Sequence, residues 1–454
     1  MPSFPLITHG SPDRPIAWRD GRAITAARFL ADVARVREAL PAAQHMLNAC
    51  GDRYRFMVGL AAALCAGKIN LLPSTRTPEM IGRMLDFAPD VFCLTDSEDC
   101  PIALPQVRIP ALDADAPAPD GEFLVPALDS AQTAAYVFTS GSTGAPVPHR
   151  KTWGLLVRNV RAEAALCGLD DGRRHALIGT VPPQHMYGFE STVLIVMQSG
   201  NALVAGHAFY PADICAALAS APRPRALVST PVHLRSVLQA GIALPPADLV
   251  LSATAPLSDA LARETEAGFA APLLEIYGCT ETGQLALRRT AATSEWQLFP
   301  GVALRQEGEF TVASGGHIEQ PTAMSDVIEC TAPGRFLLHG RHADLVNIAG
   351  KRSSLAYLDL QLNAVPGVRD GAFFMPAEGA DGGVTRLAAF VVAPGLDTDR
   401  LLAALRERID PAFLPRPLVM LDALPRNATG KLPREALLEL ARTHLRPAAA
   451  RGKA

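Results

Sequence analysis

The chain has 454 residues, more than a single hydrophobic core usually serves, so we expect one large domain and one smaller domain. The formal net charge of -3 offers no basic surface, so we expect no nucleic-acid partner. The sequence has no apolar run approaching ~18 residues and no basic start followed by an apolar core, so we expect no membrane span and no signal peptide. The eight cysteines form no CxxC pair, which predicts reduced thiols and a cytoplasmic protein.

The first strong element in chain order is a helix. Residues 25–40 place apolar side chains at helical spacing and predict an amphipathic helix. Residues 100–129 are rich in Pro, Ala and Asp and predict a surface loop or ragged strand. The N-terminal part therefore begins with a helix and reaches a loop-rich stretch before residue 130.

Between residues 175 and 290, short apolar runs alternate with helix-like segments. RALVST precedes PVHLRSVLQAG, ADLVLSA precedes PLSDALARETEAGF, and LLEIYG precedes CTETGQLALRR. This repeated order of strand, turn and helix predicts a parallel sheet with crossover helices. Ligands of such sheets bind beyond the carboxyl ends of the strands, which is where these turns lie.

The composition changes near residue 341. GAFFMPA and RLAAFVVA predict a strand pair around the turn EGADGG, followed by a helix in DTDRLLAALRERI, a strand in PLVMLDA and a loop in LPRNATGK. These elements predict a compact α+β unit of about a hundred residues. We therefore expect domains at residues 1–340 and 341–454.

A segment rich in glycine and hydroxyl groups, TSGSTG, spans residues 139–144. Backbone N–H groups in such a turn can form a nest for phosphate, and the glycines allow close approach. It is not a Walker A loop, because Gly141 is followed five positions later by Pro146 and no Gly-Lys-Ser/Thr follows. Taken alone, the segment fits a phosphate site and an ordinary surface turn equally well.

Four segments, in order, resemble the signatures of the adenylate-forming superfamily of acyl- and aryl-CoA synthetases and AMP-ligases. They are YVFTSGSTGAP at 136–146, IYGCTE at 276–281, Asp326 with GRHADLVNIAG at 340–350, and LPRNATGKLPR at 424–434. The resemblance implies an α/β fold with a large N-terminal domain of sheets and helices and a small, mobile α+β C-terminal lid. It also implies an AMP-forming acid–thiol ligase that uses ATP and Mg2+ to make an acyl-adenylate.

The implied acceptor is the phosphopantetheine thiol of CoA or of an acyl carrier protein, and the implied acid is aromatic. Only 138 residues precede the TSGSTG segment, and this compact chain resembles the stand-alone AMP-ligases of aryl-polyene pathways as well as a conventional CoA ligase. The alternatives are an enzyme that stops at the adenylate and a non-catalytic nucleotide- or acyl-binding sensor. Retention of both Glu281 and Lys431 argues against the sensor, since binding alone requires neither.

The resemblance assigns roles to residues along the whole chain. The β- and γ-phosphates would lie on Thr139, Ser140, Gly141, Ser142, Thr143 and Gly144. Tyr277 would stack on the adenine and Asp326 would bind the ribose, while Arg341 would bond the ribose or phosphate region and mark the hinge. Thr280 would bond the α-phosphate and Glu281 would ligate Mg2+. His185 would line the acyl pocket, Lys431 would be the catalytic cation, and Gly350 would flank the tunnel by which the thiol enters.

Each assignment has an ordinary structural alternative. These are a packed ring for Tyr277, an exposed helix-start carboxylate for Glu281, an ion pair for Asp326 with Arg341, a core histidine for His185 and a solvated cation for Lys431.

The sequence departs from the family pattern at several places. The family often has Lys at the position of Val147, and His149, Arg150 and Lys151 are the candidates to supply that charge. Ala343 and Asn347 replace charged residues common near the hinge, which leaves the organisation of thiol transfer in doubt. SATAPL, residues 252–257, occupies the place of a loop that borders the adenine in the family. It lacks the two consecutive glycines often found there, so we expect its main chain to approach the adenine less closely.

Overall fold

The structure is a computed structural model that describes residues 2–73, 75–112, 122–140, 146–341, 344–348, 351–376, 386–427 and 430–445. Within these ranges the strands fall into two large sheets and four small ones. None of the described helices is long and apolar enough to cross a membrane.

The strands share the usual short length of globular proteins. In chain order they are β1 (Ser3–Pro5), β2 (Pro15–Arg19), β3 (Arg22–Thr25), β4 (His45–Asn48), β5 (Ile69–Leu72), β6 (Phe92–Thr95), β7 (Gln106–Arg108), β8 (Ala127–Asp129), β9 (Thr133–Ser140), β10 (Pro146–Thr152), β11 (Ala176–Gly179), β12 (Ala202–Val204), β13 (Arg225–Ser229), β14 (Leu249–Ser252), β15 (Leu273–Cys279), β16 (Gly283–Arg288), β17 (Trp296–Leu298), β18 (Val302–Glu307), β19 (Phe310–Gly315), β20 (Thr322–Ala323), β21 (Asp326–Ala332), β22 (Arg335–Arg341), β23 (Leu345–Ile348), β24 (Lys351–Ser354), β25 (Asp370–Phe374), β26 (Ala388–Val392) and β27 (Leu418–Met420).

The helices cover the sheets and connect their parallel strands. In chain order they are α1 (Ala26–Ala39), α2 (Arg53–Cys65), α3 (Pro78–Phe87), α4 (Trp153–Leu166), α5 (Met186–Gly188), α6 (Ile195–Ser199), α7 (Pro211–Ser220), α8 (Pro231–Gln239), α9 (Asp259–Phe269), α10 (Leu355–Asn363), α11 (Thr398–Arg406) and α12 (Arg434–His444). A π-helical segment, Phe189–Leu194, joins α5 to α6, and a 3-10 turn spans Pro411–Phe413.

The larger sheet has the order β21-β22-β17-β16-β15-β14-β13-β11-β12-β2-β3 in the described residues. Its central strands β15, β14, β13, β11, β12 and β2 are parallel, and antiparallel strands extend both edges. The second sheet has the order β10-β9-β5-β4-β6-β7, with antiparallel pairing only between β10 and β9. The mixed α/β fold predicted from the sequence is therefore confirmed.

The predicted alternation of strand and helix holds from β13 to β15. Helix α8 joins β13 to β14, and α9 joins β14 to β15. The helix predicted over CTETGQLALRR is wrong, because these residues form a turn and then β16. β16 pairs with β15 on one side and β17 on the other, and this sheet pairing overrides the helix-like spacing of the segment.

The other predicted elements are largely confirmed. Thr25 caps the N-terminus of helix α1, because its side chain accepts the Arg28 backbone N–H, and the apolar face of α1 is buried as its spacing predicts. The loop-rich stretch before residue 130 contributes only β7 and β8 in its described part.

The C-terminal residues have their own hydrophobic core. Its buried members run from Val346 to Phe413 and lie between α10, α11 and the sheet β25-β26-β27. β25 and β26 are antiparallel, as predicted, and β27 joins β26 in parallel. This unit also touches the rest of the chain, since Arg235 of α8 donates through Nη1 to the Arg369 carbonyl oxygen at 2.8 Å.

Candidate active site

A tyrosine and an aspartate meet at the end of β15. The Tyr277 hydroxyl donates to Asp326 Oδ2 at 2.8 Å. The Tyr277 ring packs against Trp296 and Phe336, with ring centroids 5.6 Å and 5.8 Å away. Tyr277 and Asp326 are both half-buried, so one part of each side chain is packed while another part remains accessible.

Asp326 and Arg341, which lie 15 residues apart in the sequence and were predicted to act as a pair, lie opposite each other in the structure. Asp326 begins β21, Arg341 ends β22, and the two are Cα partners in the antiparallel register. The strand pairing therefore brings their backbones together. The Arg341 side chain lies outside the described residues, so its predicted ribose contact stays a prediction.

The turn after β15 carries Thr280, which is half-buried, and Glu281, whose side chain is 43% exposed. His149 Nε2 lies 3.7 Å from Glu281 Oε1. Partial burial alone would raise the pKa of Glu281. Hydrogen bonds from its own backbone N–H and from Cys279, with the positive charge of His149 and Lys151, outweigh burial and lower that pKa. Glu281 is thus an ionised carboxylate that a cation can reach.

Strand β10 distributes three basic side chains over its two faces, because successive strand residues point in opposite directions. Lys151 is buried and donates through Nζ to the Glu281 carbonyl oxygen at 3.2 Å. Arg150 forms an ion pair with Glu319 instead. Of the three candidates to replace a lysine at Val147, His149 and Lys151 therefore reach the Glu281 turn.

The phosphate segment is described only at its start. Thr139 and Ser140 end β9, and their backbones pair with Val147 and Pro146 of β10. The predicted positions Gly141, Ser142, Thr143 and Gly144 lie outside the described residues, as does Gly350. Their assignments stay predictions.

His185 lies where the chain turns from β11 into the helical stretch that starts at Met186. Its backbone N–H donates to the Pro182 carbonyl oxygen at 3.2 Å, and a Cβ at Gly188 would lie 2.2 Å from that same oxygen. Only glycine fits there, which explains the spacing Pro-x-x-His-x-x-Gly. Burial, then the positive charges of Lys431 and Arg76, lower the pKa of His185 to about 4, so its ring is neutral at pH 7.

The loop that carries Lys431 is held by side chains on both sides of it. Arg426 forks onto Asp370 through Nε at 2.7 Å and Nη2 at 2.8 Å, and donates to the Gly430 carbonyl oxygen at 2.9 Å. Asn427 Oδ1 accepts the Lys431 backbone N–H at 2.9 Å. These bonds fix the exposed Lys431 at a defined place near His185.

The SATAPL segment keeps a glycine-like backbone without a glycine. Thr254 has φ = 82°, in the left-handed region that residues with a Cβ rarely adopt. Strain of this kind persists where the surrounding structure determines the backbone. The segment therefore keeps a backbone conformation typical of glycine at Thr254, although it contains no glycine.

Several buried polar residues near the site were missed by sequence reasoning. Asn159 and Glu163 of α4, Glu190 of the π-helical segment and His317 are all less than a tenth exposed. Sequence analysis predicted no element over α4, so the buried position of Glu163 on that helix was not anticipated. Their convergence depends on elements far apart in sequence.

The donor set of the site fits Mg2+ as a partner of ATP. Among the described residues there is no group of three or more His, Cys, Asp or Glu side chains that could hold a metal alone. Mg2+ is commonly bound through one or two carboxylates and substrate phosphates. The single ionised carboxylate of Glu281 suits that arrangement.

Solved structures share the fold of this chain. The chain is similar to ATP-bound MatB from Rhodopseudomonas palustris, with a TM-score of 0.79, 19% identity and coverage of 95% of this chain and 97% of that one. It is also similar to o-succinylbenzoate CoA synthetase (MenE) from Bacillus subtilis in complex with the acyl-adenylate intermediate OSB-AMP. There the TM-score is 0.80, the identity 17%, and the coverage 96% and 98%.

The sequence places the chain within that class. The profile of the AMP-binding enzyme family matches residues 9–307, and this protein belongs to that family. It is 33% identical over 305 residues to 4-coumarate–CoA ligase of Rhodobacter capsulatus, covering 66% of this chain and 75% of that protein. It is 27% identical over 363 residues to 4-chlorobenzoate–CoA ligase of an Arthrobacter species, covering 68% and 66%.

Family membership confirms two predictions. The chain is a member of the adenylate-forming superfamily, and it is an AMP-forming acid–thiol ligase. The aryl-polyene subtype stays a prediction.

Proposed function

We propose that this protein activates an aromatic carboxylic acid as an acyl-adenylate and transfers the acyl group to the thiol of CoA. The single observation that carries the proposal is the position of Lys431. This C-terminal residue lies near enough to His185 for its charge to lower the pKa of the ring. The loop that carries this ammonium group also lies against the end of β13, since a Cβ on Gly430 would approach Val232 and Thr230.

The aromatic acid and the CoA acceptor are supported by the relatives. Those with matching sequence over most of the chain include ligases named for 4-coumarate, for 4-chlorobenzoate and for 3- or 4-hydroxybenzoate, each with CoA. An acyl carrier protein, the other acceptor predicted from the sequence, stays a prediction that the same assay can test.

The roles proposed for the described residues follow from their chemistry. Asp326 would accept from ribose hydroxyls, because a carboxylate accepts from two donors at once, and Tyr277 would border the adenine. Lys431 would neutralise charge that builds between the acid carboxylate and the α-phosphate. His185, being neutral at pH 7, would pack against the acyl group without repelling that ammonium.

Glu281 would hold Mg2+, with Thr280 beside it for the α-phosphate. Mg2+ bound there would neutralise charge on the phosphate oxygens of ATP. Lys151 would keep the Glu281 turn in place and help keep its carboxylate ionised.

We further propose that residues 1–340 form the ATP- and acid-binding domain and residues 341–454 the lid. The separate hydrophobic core from Val346 to Phe413 supports this division. The position of Arg341 supports this division too, because Arg341 ends β22, the last strand along the chain that belongs to the larger sheet. A lid of this kind would exclude water from the reactive adenylate.

The test is acid-dependent exchange between pyrophosphate and ATP, measured over a panel of benzoates, cinnamates and short- and long-chain aliphatic acids. Exchange with aromatic acids is the expected result. CoA or a phosphopantetheinylated carrier protein is then added, and the thioester is detected directly by mass spectrometry. Exchange confined to aliphatic acids would overturn the aromatic assignment, and absence of exchange with every acid would overturn the activity.

A further inference from the structure

Helix α8 contacts the C-terminal unit at two points that lie one turn apart. A Cβ on Gly430 would lie 2.9 Å from Val232 Cγ2, and Arg235 Nη1 donates to the Arg369 carbonyl oxygen at 2.8 Å. Val232 and Arg235 are three residues apart, so they share one face of the helix. One residue separates α8 from β13, a central strand of the larger sheet. This face of α8 is therefore a platform fixed to the end of that strand.

The two contacted residues of the C-terminal unit are joined by hydrogen bonds. The Arg369 N–H donates to the Val392 carbonyl oxygen at 2.8 Å, which ties it to β26. Arg426 donates to the adjacent Asp370 through Nε at 2.7 Å and Nη2 at 2.8 Å, and to the Gly430 carbonyl oxygen through Nη1 at 2.9 Å. A bidentate pair of this kind fixes the direction of the guanidinium as well as its position. The contact at Arg369 is thus connected to the contact at Gly430.

Lys431 follows Gly430 directly and shares its turn. The Gly430 N–H donates to the Asn427 carbonyl oxygen at 2.8 Å, and the Asn427 N–H donates to the Lys431 carbonyl oxygen at 2.8 Å. Asn427 Oδ1 accepts the Lys431 N–H at 2.9 Å. The backbone of Lys431 therefore depends on the same short series of hydrogen bonds that ends at α8.

The charge of Arg235 suits it to this place. Its side chain is half-buried, and burial lowers its pKa, while the negative charges of Asp370 and Glu264 act in the opposite direction and the positive charge of Arg426 adds to burial. A guanidinium nevertheless stays protonated in proteins. Arg235 is thus a charged donor within electrostatic reach of the Asp370–Arg426 pair, and charged donors form the stronger hydrogen bonds.

We propose that Arg235 is a positioning residue of this ligase, which holds Lys431 where its ammonium serves adenylate formation. It acts through the Arg369 carbonyl oxygen and the Asp370–Arg426 pair. The proposal rests on the proposed function, in which Lys431 neutralises charge between the acid and the α-phosphate. Because Arg235 acts on the reaction through Lys431, its loss affects the rate of the chemical step and not the binding of ATP.

The first test is Arg235→Met, which keeps a long apolar stem and removes the donors. In acid-dependent pyrophosphate–ATP exchange we expect kcat to fall about tenfold, because a misplaced catalytic group slows the chemical step. KM for ATP should stay within about twofold of the wild-type value, since no binding interaction is removed. Arg235→Lys should recover part of the loss, because an ammonium group can donate to the same carbonyl oxygen. A rise in KM for ATP without a fall in kcat would overturn the proposal.

The second test asks whether Arg235 acts through Lys431. Arg235→Met is combined with Lys431→Ala, and the exchange rates of the two single variants and the double variant are compared. Once the ammonium is absent its position no longer matters, so the double variant should be no slower than Lys431→Ala alone. A further loss of about tenfold in the double variant would show independent action and would overturn the proposal.

A matched control and thermal unfolding separate positioning from general destabilisation. Arg263→Met on the neighbouring helix α9 removes an arginine whose surface ion pair is with Asp259, and it should change neither exchange nor the melting temperature. Arg235→Met should melt close to the wild type, because Arg235 lies at a contact between two units that each have their own core. A clear fall in melting temperature together with weaker ATP binding would assign Arg235 a structural role and overturn the proposal.

The failures of the two proposals are distinguishable. Unchanged kcat in Arg235→Met, with normal exchange by the wild type, refutes the positioning role and leaves the ligase activity standing. Unchanged exchange in Lys431→Ala also refutes it, since Arg235 then has no catalytic cation to position. Absence of exchange by the wild type with every acid refutes the activity itself and this assignment with it.

Discussion

Tyr277 and Asp326 are joined within one continuous sheet, whereas Lys431 belongs to a separately packed unit that contacts the rest of the chain. β21, β22, β17, β16 and β15 run side by side, so the positions of Tyr277 and Asp326 are fixed by main-chain pairing and by packed aromatic rings. The backbone of Lys431 is ordered locally by Arg426 and Asn427, and its loop also contacts the N-terminal part.

Two of those contacts are well defined. Arg235 donates to the Arg369 carbonyl oxygen, and Gly430 lies against Val232 at the start of α8. The difference teaches that main-chain pairing in one sheet positions Tyr277 and Asp326, whereas contacts between two separately packed units position Lys431. Such an arrangement suits a lid that closes for one step and moves for the next.

The strongest test of the comparison is Lys431→Ala. Loss of the ammonium should lower the exchange rate roughly a hundredfold to a thousandfold, as for removal of one group that stabilises transition-state charge. ATP binding, measured by calorimetry, should change little, because the nucleotide side is built without this residue. A large loss of ATP affinity would show that the two regions are not independent, and unchanged exchange would remove Lys431 from the reaction.

A second test acts on the docking contact alone. Gly430 has φ = 77°, and a Cβ there would lie 2.9 Å from Val232 Cγ2. Gly430→Ala should therefore misplace Lys431 and slow exchange about tenfold, partly through the left-handed strain of ~1–2 kcal/mol. The double variant Gly430→Ala with Val232→Ala should recover part of the loss.

The matched control for that test is Gly395→Ala. Gly395 lies in the same C-terminal unit with φ = 95°, and nothing lies within 4 Å of the Cβ it would gain. It carries similar strain without the docking clash, so its exchange rate should stay near that of the wild type. Equal losses in both variants would mean that backbone strain, and not docking, decides the rate.

The smallest expected effect belongs to the nucleotide side. Asp326→Asn should raise KM for ATP up to about tenfold by weakening a charged acceptor, with kcat nearly unchanged. Tyr277→Phe removes the 2.8 Å bond to Asp326 but keeps its carboxylate, and should have a lesser effect on the same parameter. Steady-state exchange kinetics over a range of ATP concentrations measure both, and a fall in kcat without a change in KM would place Asp326 in the chemical step instead.

Sequence reasoning located more of the fold than of the site. Helix α1, the units from β13 to β15 and the C-terminal strands and helix α11 follow from hydrophobic spacing and turn residues, which are local properties. CTETGQLALRR was wrongly predicted as a helix because its pairing partners, β15 and β17, are supplied by other parts of the chain. Asp326 and Arg341, whose spacing was noted in the sequence, are Cα partners in the antiparallel pair β21–β22. In such a hairpin the paired residues lie at similar distances along the chain from the turn.

The sequence by itself determined the family, the chemistry and the identity of the main candidate residues, because four short segments carry them and each needs only its neighbours to be read. Only the tertiary structure decided that Lys151 turns inward to the Glu281 carbonyl while Arg150 turns away, and that Lys431 lies near His185. It alone gathered the buried side chains of Glu163, Ser191 and Gln284 into one cluster. The reason is that burial and the pairing of polar atoms are properties of contacts between segments distant in sequence, and no local pattern records which segments will meet.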